Sequence, residues 1–347
     1  MLDLGRGNVM LYAFWNNKGG TGKTSLAFQA ICRYAQKHPK EMILAIDVCP
    51  QANLSELFLG GLTNSGGMNL LSRHALPQRC SIGGYFQVRL PAPYSAPVFT
   101  PLDYLTRPSD FNSNIPENID LVCGDPLLEL QSNAINTLSN TQIPGTDTWI
   151  SVIDWLKEFV SSIRGKYHAI FVDCNPSFSI YTQIALACVD RIVLPVMADD
   201  SSRRAVQNAL SLVYGLSLPS PIYSTYAFGS KLLKGGRSLP QVHLIAKNRI
   251  TQYMGPASAY AAVLMAIDGD IRELLRSNAK YFTFGQISNG TVEIRDFQTT
   301  GVVAFAKGCP ISELRHGKQS IGGHRVEVKE AYRINCLEAI DDLVAKL

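Results

Sequence analysis

One short segment constrains this chain more than any other: the loop Lys18-Gly-Gly-Thr-Gly-Lys-Thr24, which separates an apolar run from a helical segment. The apolar run, Val9 to Trp15, predicts a strand, and the residues from Thr24 to Lys37 predict a helix. Glycines let such a loop curl tightly, so that backbone N–H groups and the helix N-terminus point at an anion. Lys23 and the hydroxyl of Thr24 would then reach the terminal phosphates and Mg²⁺. The segment therefore predicts a nucleotide phosphate site.

Strand-like and helix-like segments alternate along the chain, which predicts an α/β fold with a mostly parallel sheet flanked by helices. Further strands are expected at 42–46, 119–123, 169–172, 191–196 and 242–246, and helices at 149–163, 256–278 and 329–347. Two segments rich in Pro, Gly and Ser, 60–116 and 217–240, are expected to be excursions from the core, and the first shows little helical periodicity. No linker or repeat divides the chain, so a single domain over residues 1–347 is expected.

The last helix, 329–347, is amphipathic with a mostly acidic polar face, which favours docking on the core over binding to a membrane surface. No window approaches the roughly 18 apolar residues that span a membrane. Met1–Arg6 does not resemble a signal peptide, and the eight cysteines form no CxxC pair. We therefore expect a cytoplasmic protein whose thiols are buried and reduced.

Charge is distributed unevenly. Residues 1–200 carry 14 Lys and Arg against 17 Asp and Glu, whereas residues 201–347 carry 18 against 11. A basic half can be a face that binds nucleic-acid phosphates or simply a solvated surface, and charge alone leaves both interpretations open.

The additional lysine that opens the loop, Lys18, makes the motif KGGxGKT. In this form it resembles the deviant Walker A motif of the ParA/MinD family of P-loop ATPases. The resemblance implies a P-loop NTPase fold that binds ATP with Mg²⁺, and a homodimer in the ATP state, in which Lys18 reaches the partner's nucleotide. Lys18 and Lys23 are then catalytic, and the loop residues that bind nucleotide are Lys18, Gly19, Gly20, Thr21, Gly22, Lys23, Thr24 and Ser25.

Other segments resemble the same family and occur in its order. They are the switch segment Ala45–Ser55 (family DxDPQGNxS), the NLxLIP-like stretch 117–129, the Walker B-like segment 167–177, the segment 185–196 and the hGxPi-like segment 307–311. Pro50-Gln51 and Pro195-Val196 favour the ParA-like branch. Because the loop begins at residue 18, the N-terminal helix-turn-helix domain of the longer ParA proteins is expected to be absent.

Three residues outside the loop are assigned roles in the site. Asp173 ends the Walker B strand, where a carboxylate suits the second shell of Mg²⁺, through water. Asp47 ends another strand at the same edge and is a catalytic candidate and a second candidate for the metal. Asn248 occupies the position at which the family places an asparagine against adenine.

One departure from the family concerns hydrolysis. Cys49 stands where the family has the aspartate that positions the attacking water. A thiol is a weak hydrogen-bond partner, so the sequence predicts tight ATP binding with slow turnover. A neighbouring carboxylate, Asp199 or Asp200, could compensate.

A second departure concerns DNA. ParA-like proteins bind non-specific DNA through basic residues of the C-terminal half, yet Thr300 stands where one such arginine is expected. Arg295, Arg315 and Lys318 are the candidate substitutes.

Two functions compete. The first is a ParA-like ATPase that binds DNA non-specifically at the nucleoid and positions a plasmid, chromosome region or other cargo with a ParB-like or cargo-adaptor protein. The alternative is an ATP-binding dimerisation scaffold with little hydrolysis and no DNA role. Its partner surface, or an enlarged dimer interface, would contain the aromatic residues of the 60–116 segment, Tyr85, Phe86, Tyr94, Phe99 and Tyr104. An iron–sulfur carrier would need paired cysteines, and a MinD-like membrane ATPase would need a basic amphipathic tail.

Overall fold

The computed structural model describes residues 9–197, 199–250 and 259–347. The strands are β1 Met10–Phe14, β2 Ile43–Val48, β3 Ile119–Val122, β4 Ala169–Cys174, β5 Arg191–Met197, β6 Gln241–Ile250, β7 Thr291–Arg295, β8 Gly317–Ile321 and β9 His324–Val328. The helices are α1 Lys23–Lys37, α2 Asn53–Phe58, α3 Gly66–His74, α4 Ile82–Arg89, α5 Leu127–Asn140, α6 Thr148–Ile153, α7 Trp155–Ile163, α8 Ile180–Cys188, α9 Asp200–Tyr214, α10 Ile222–Tyr226, α11 Phe228–Lys234, α12 Ala259–Asn278, α13 Ile287–Gly290, α14 Gln298–Lys307 and α15 Glu330–Val344.

Seven strands form one parallel sheet in the order β3-β2-β4-β1-β5-β6-β7. The central strands β1, β2 and β4 are apolar apart from Asp47 and Asp173 near two of their carboxyl ends, and they are almost wholly buried, as expected for strands covered on both faces. The predicted α/β class is confirmed. β1 lies between β4 and β5. The chain leaves β1 toward β2 on one side and leaves β5 toward β6 on the other, so the strand order reverses here. Ligands of open α/β sheets bind in the crevice formed at such a point.

Helices cover both faces of the sheet and enclose two apolar cores. One core contains residues of α1 and α15 together with the rings of Tyr12, Phe28 and Phe171. The C-terminal helix α15 buries Cys336, Ile340 and Leu343 there, so its predicted docking on the core is confirmed. The other core contains α5 to α8. The helix predicted at 149–163 is divided at Asp154 into α6 and α7.

Residues 60–116, which show little helical periodicity, nevertheless contain α3 and α4. Both helices are short and each contains two glycines, which weakens the periodicity by which a helix is identified from sequence. The rings of Tyr85, Phe86 and Tyr104 are buried inside this chain, where Tyr85 and Tyr104 contact Phe159. They are therefore unavailable to a partner. Residues 217–240 carry the short helices α10 and α11. The extent of the single domain stays a prediction.

All eight cysteines are buried with free thiols, as expected. In the described ranges, no helix has the length and apolar character needed to cross a membrane. Residues 1–8, which include the segment judged unlike a signal peptide, lie outside these ranges, as do the first residues of the helix expected at 256–278.

Candidate functional site

The phosphate loop connects the carboxyl end of β1 to the N-terminus of α1. Gly20 and Gly22 have φ of 74° and 84°, a left-handed backbone that glycine adopts without strain. Asn248, at the end of β6, supports the loop by donating from Nδ2 to the carbonyl oxygen of Thr21 at 2.9 Å. A Cβ on Gly22 would lie 2.2 Å from that same nitrogen. The loop therefore requires glycine here for close packing as well as for its conformation.

Lys23 is buried, and its ammonium lies within the curve of the loop. Nζ donates to the carbonyl oxygen of Lys18 at 2.8 Å. Burial lowers the pKa of Lys23, and the nearby carboxyl of Asp173 partly opposes that shift. An ammonium group that is both desolvated and held by a single carbonyl oxygen has donors left for an anion in the loop.

Lys18 is held by its own chain. Its Nζ lies 2.6 and 2.7 Å from the two carboxylate oxygens of Asp199 and 3.0 Å from Oγ of Ser202. Asp199 also caps α9 by accepting from the N–H of Ser202 at 2.6 Å. Partial burial would raise the pKa of Asp199, but the hydrogen bonds from Lys18 and from the serines of this turn outweigh it and bring that pKa to about 2. The side chain of Asp200 is outside the described part of the chain. The action of Lys18 in trans stays a prediction.

Two carboxyl groups lie side by side behind the loop. Asp47 of β2 and Asp173 of β4 are partners in the parallel ladder, and both are buried. Neither oxygen of Asp173 has a hydrogen-bond partner among the described residues, although Thr24 is close enough to lower its pKa. Burial, followed by repulsion from Asp47, raises the pKa of Asp173 to about 8. A buried carboxyl without a partner is costly unless a cation or an ordered water balances it.

Asp47 differs because both of its oxygens are already occupied. One accepts from the backbone N–H and the hydroxyl of Ser55 at 2.9 and 2.7 Å, and the other accepts from the N–H of Cys49 at 3.2 Å. Burial nevertheless raises the pKa of Asp47 to about 6. Asp47 thus fixes both ends of the turn that follows β2. Its role as a metal ligand or catalytic residue stays a prediction.

Cys49 is 9% exposed and faces the site. Burial and the two neighbouring aspartates raise the pKa of its thiol to about 12, so the thiol is neutral at physiological pH. A neutral thiol supplies neither the charge nor the acceptor strength of a carboxylate. A neutral thiol thus stands where the resemblance places the aspartate that positions water.

A cleft of about 990 Å³ opens at the carboxyl edge of the sheet, a size within the usual range for small-molecule sites. We call it the nucleotide cleft. Its three main walls are the phosphate loop, the residues from Cys49 to Leu62, and α14 with the residue before it, and residues 174–176 and 248–249 also line it. Residues of the third wall are Phe297, Gln298, Gly301, Val302, Phe305 and Ala306. Sequence reasoning missed this third wall, because α14 is distant along the chain and has no motif on the face that lines the cleft.

The three candidate DNA-contacting residues are not among the residues that line the nucleotide cleft. Arg315 and Lys318 follow α14, where Arg315 is exposed and Lys318 lies on β8, and Arg295 is half-buried at the end of β7. Thr300 is uncharged and is buried within α14, so this position supplies no cation to the surface.

Comparison with known proteins agrees with this geometry. A family model described as an AAA domain matches residues 108–217. The chain is similar to a Cyanothece McdA–ATP complex, with 14% identity, a TM-score of 0.60 and coverage of 97% of this chain and 96% of that one. It is also similar to a putative plasmid partition protein from Borrelia burgdorferi B31 bound to AMPPNP, with 15% identity, a TM-score of 0.52 and coverage of 98% and 99%. No curated protein matches the sequence significantly.

A third solved structure, pNOB8 ParA, has 15% identity and a TM-score of 0.50, with coverage of 83% of this chain and 81% of that one. At these identities the similarity establishes the fold, while the loop and strand-end residues described above carry the site. The resemblance found in the sequence is confirmed: this chain has the fold of the ParA-like P-loop ATPases.

Proposed function

We propose that this protein is an ATP-dependent, dimerising ParA-like ATPase that binds DNA non-specifically and positions or segregates a plasmid, chromosome region or other cargo. The observation that carries the proposal is the unpartnered, buried carboxyl of Asp173 beside Lys23 and Thr24 at the base of a glycine loop. This combination suits a cation and a polyphosphate bound together.

The residues present fit both ATP and Mg²⁺. The loop from Lys18 to Ser25 would hold the phosphates, and Lys23 would neutralise part of their charge. Thr24 would ligate Mg²⁺, and Asp173 would hold it through water. Bound Mg²⁺ supplies charge neutralisation between the phosphates. Asn248 supports the loop, and the proposal that it contacts adenine rests on its position at the cleft.

The proposals of dimerisation and of cargo positioning rest on the resemblance to the ParA/MinD family. Lys18 in trans would make ATP part of a homodimer interface. The similar structures include a partition protein from Borrelia burgdorferi and McdA, which supports a positioning role. A ParB-like or cargo-adaptor protein is the expected partner, in the cytoplasm and on the nucleoid.

The test of this function is DNA binding as a function of nucleotide and salt. We expect a random-sequence duplex to bind in the presence of Mg²⁺ and a non-hydrolysable ATP analogue, and to bind much more weakly without nucleotide. Because binding releases counterions from phosphates, the logarithm of the affinity should fall linearly with the logarithm of salt concentration. Fluorescence anisotropy measures both dependences. Absence of binding, or binding insensitive to salt and nucleotide, would contradict the DNA role.

Hydrolysis should be slow because of Cys49. We expect Cys49→Asp to raise the steady-state rate of ATP hydrolysis by about tenfold or more, since phosphoryl transfer depends on positioning of the attacking water. Cys49→Ser is the matched control, because it conserves size and adds no charge, and it should leave the rate unchanged. Phosphate release at saturating ATP measures the rate. If the natural protein hydrolyses ATP as fast as Cys49→Asp, this explanation fails.

The alternative function is an ATP-binding dimerisation scaffold with little hydrolysis and no DNA role. The neutral thiol at Cys49 favours it, because a dimer that hydrolyses ATP slowly persists. The DNA experiment separates the two functions, since a scaffold would dimerise with ATP and still not bind the duplex.

A further inference from the structure

The segment after α14 forms a small antiparallel hairpin that stands outside the seven-stranded sheet. β8 and β9 pair along their whole length: Gly317 is opposite Val328 at one end, and Ile321 is opposite His324 at the other. Gly322 and Gly323 join the two strands. Both glycines have positive φ, as the tightest hairpin turns require. A ribbon of two strands has the width that fits the major groove of DNA.

The two faces of this hairpin differ. Val326 and Ile321 pack against the core, and Val328 is buried. Because side chains alternate along a strand, the opposite face is exposed. It carries Lys318, Ser320, Arg325 and Glu327.

The exposed face is basic and its cations have no partners in the described part of the chain. Lys318 and Arg325 make neither a hydrogen bond nor an ion pair through their side chains within the described residues. Arg315 and Lys329 flank the hairpin and are also exposed, so cations outnumber the two carboxylates of this surface, Glu327 and Glu330. Exposed cations without a partner on a ribbon suit phosphate oxygens along a duplex.

Helix α14 connects this hairpin to the nucleotide cleft. One side of α14 lines the cleft through Val302 and Phe305. At its end, Nζ of Lys307 donates to Oε1 of Gln319 in β8 at 2.6 Å. The same helix therefore contacts both the space proposed for the nucleotide and the basic hairpin.

The C-terminus of α14 is also fixed to the chain that follows the switch segment. The N–H of Thr63 donates to the carbonyl oxygen of Ala306 at 2.8 Å, and Nδ2 of Asn64 donates to that of Lys307 at 2.9 Å. A Cβ on Gly308 would lie 2.4 Å from the carbonyl oxygen of Leu57, and one on Gly61 would lie 2.4 Å from the N–H nitrogen of Gly308. The backbones are thus in direct contact, and a displacement of one requires a displacement of the other.

From these contacts we propose that the β8–β9 hairpin binds the DNA backbone through Lys318 and Arg325, and that the nucleotide cleft sets its position through α14. The proposal rests on the DNA-binding function above and adds the contact surface and its link to the nucleotide.

The test compares two double variants with the same change in charge. Lys318→Gln/Arg325→Gln should lower the affinity for a random-sequence duplex about tenfold and reduce the salt slope by about 2, because two phosphate contacts are lost. Lys40→Gln/Lys157→Gln removes two exposed lysines elsewhere and should leave both quantities near those of the natural protein. Nucleotide affinity, measured in parallel, reports that each variant is folded.

The link to the nucleotide has its own measurement. The native cysteines are buried, so a fluorescent maleimide at Ser320→Cys labels the hairpin selectively. Its emission should change with Mg²⁺ and a non-hydrolysable ATP analogue at the concentration at which nucleotide binds.

The outcomes are distinguishable. If the natural protein binds DNA and the hairpin variant binds equally well, the hairpin proposal is overturned while the proposed function stands. If the natural protein does not bind DNA under any nucleotide condition, the function and the hairpin proposal fail together. If the emission of the label at position 320 does not change when nucleotide binds, the proposed link through α14 is overturned.

Discussion

Lys18→Gln is expected to abolish ATP-dependent dimerisation, whereas Asp199→Asn is expected to strengthen it. In the single chain, Lys18 is held by Asp199 and Ser202, so it must leave them to reach a partner's nucleotide. Asparagine removes the charge that holds Lys18 but keeps the ability to cap α9. A half-exposed ion pair contributes about 1 kcal/mol. With two such pairs per dimer, the protein concentration at half-dimerisation should fall about thirtyfold in Asp199→Asn.

Sedimentation with Mg²⁺ and a non-hydrolysable ATP analogue measures this dimerisation. Lys37→Gln is the matched control, because Lys37 also pairs with an aspartate, Asp341, but lies at the far end of α1. A Lys18→Gln protein that dimerises normally would exclude the role in trans. An Asp199→Asn protein with unchanged dimerisation would show that the contact within the chain does not compete.

Asp173→Asn should change two properties in opposite directions. Burial raises the pKa of Asp173 to about 8, so the native state keeps a proton that the unfolded chain releases near pH 4. Because the native state binds more protons between these values, the stability of the nucleotide-free protein falls as pH rises through this window. Asparagine cannot ionise and removes this loss. At pH 8 the free energy of unfolding of the variant should therefore exceed that of the natural protein.

The same variant should bind nucleotide with Mg²⁺ at least about tenfold more weakly, because the carboxylate that would hold the cation through water is gone. Urea unfolding at pH 5 and pH 8, together with calorimetric titration with and without Mg²⁺, separates the two effects. The stability difference should be much smaller at pH 5, which lies close to the pKa of the carboxyl in the unfolded chain. Equal nucleotide affinity in the two proteins would remove Asp173 from the proposed metal site.

The sequence predicts what depends on local pattern. The apolar runs assigned as strands became strands of the sheet, and the loop from Lys18 to Thr24 lies between β1 and α1 as expected. A parallel sheet brings the ends of its strands together, so Asp47 and Asp173 were also expected at one edge. Local signals were sufficient for this part of the site.

What the sequence did not predict depends on contacts between distant segments. Nothing in the neighbourhood of Lys18 indicates that Ser202 contacts it, since 184 positions separate them. The wall that α14 forms and the helix α4 were also missed. A helix as short as α4, with two glycines, has almost no period to detect, and α4 is held in the core by rings such as Tyr85 that it supplies itself.

The contact between Gly61 and Gly308 also limits how this protein can diverge. Neither position has room for a methyl group, so any substitution at one must be accompanied by a backbone shift at the other. The two glycines lie far apart in the chain, yet they should vary together or not at all. In an alignment of close relatives, paired retention of these glycines would mark the proteins that keep this arrangement, and paired loss would mark those that reorganised it.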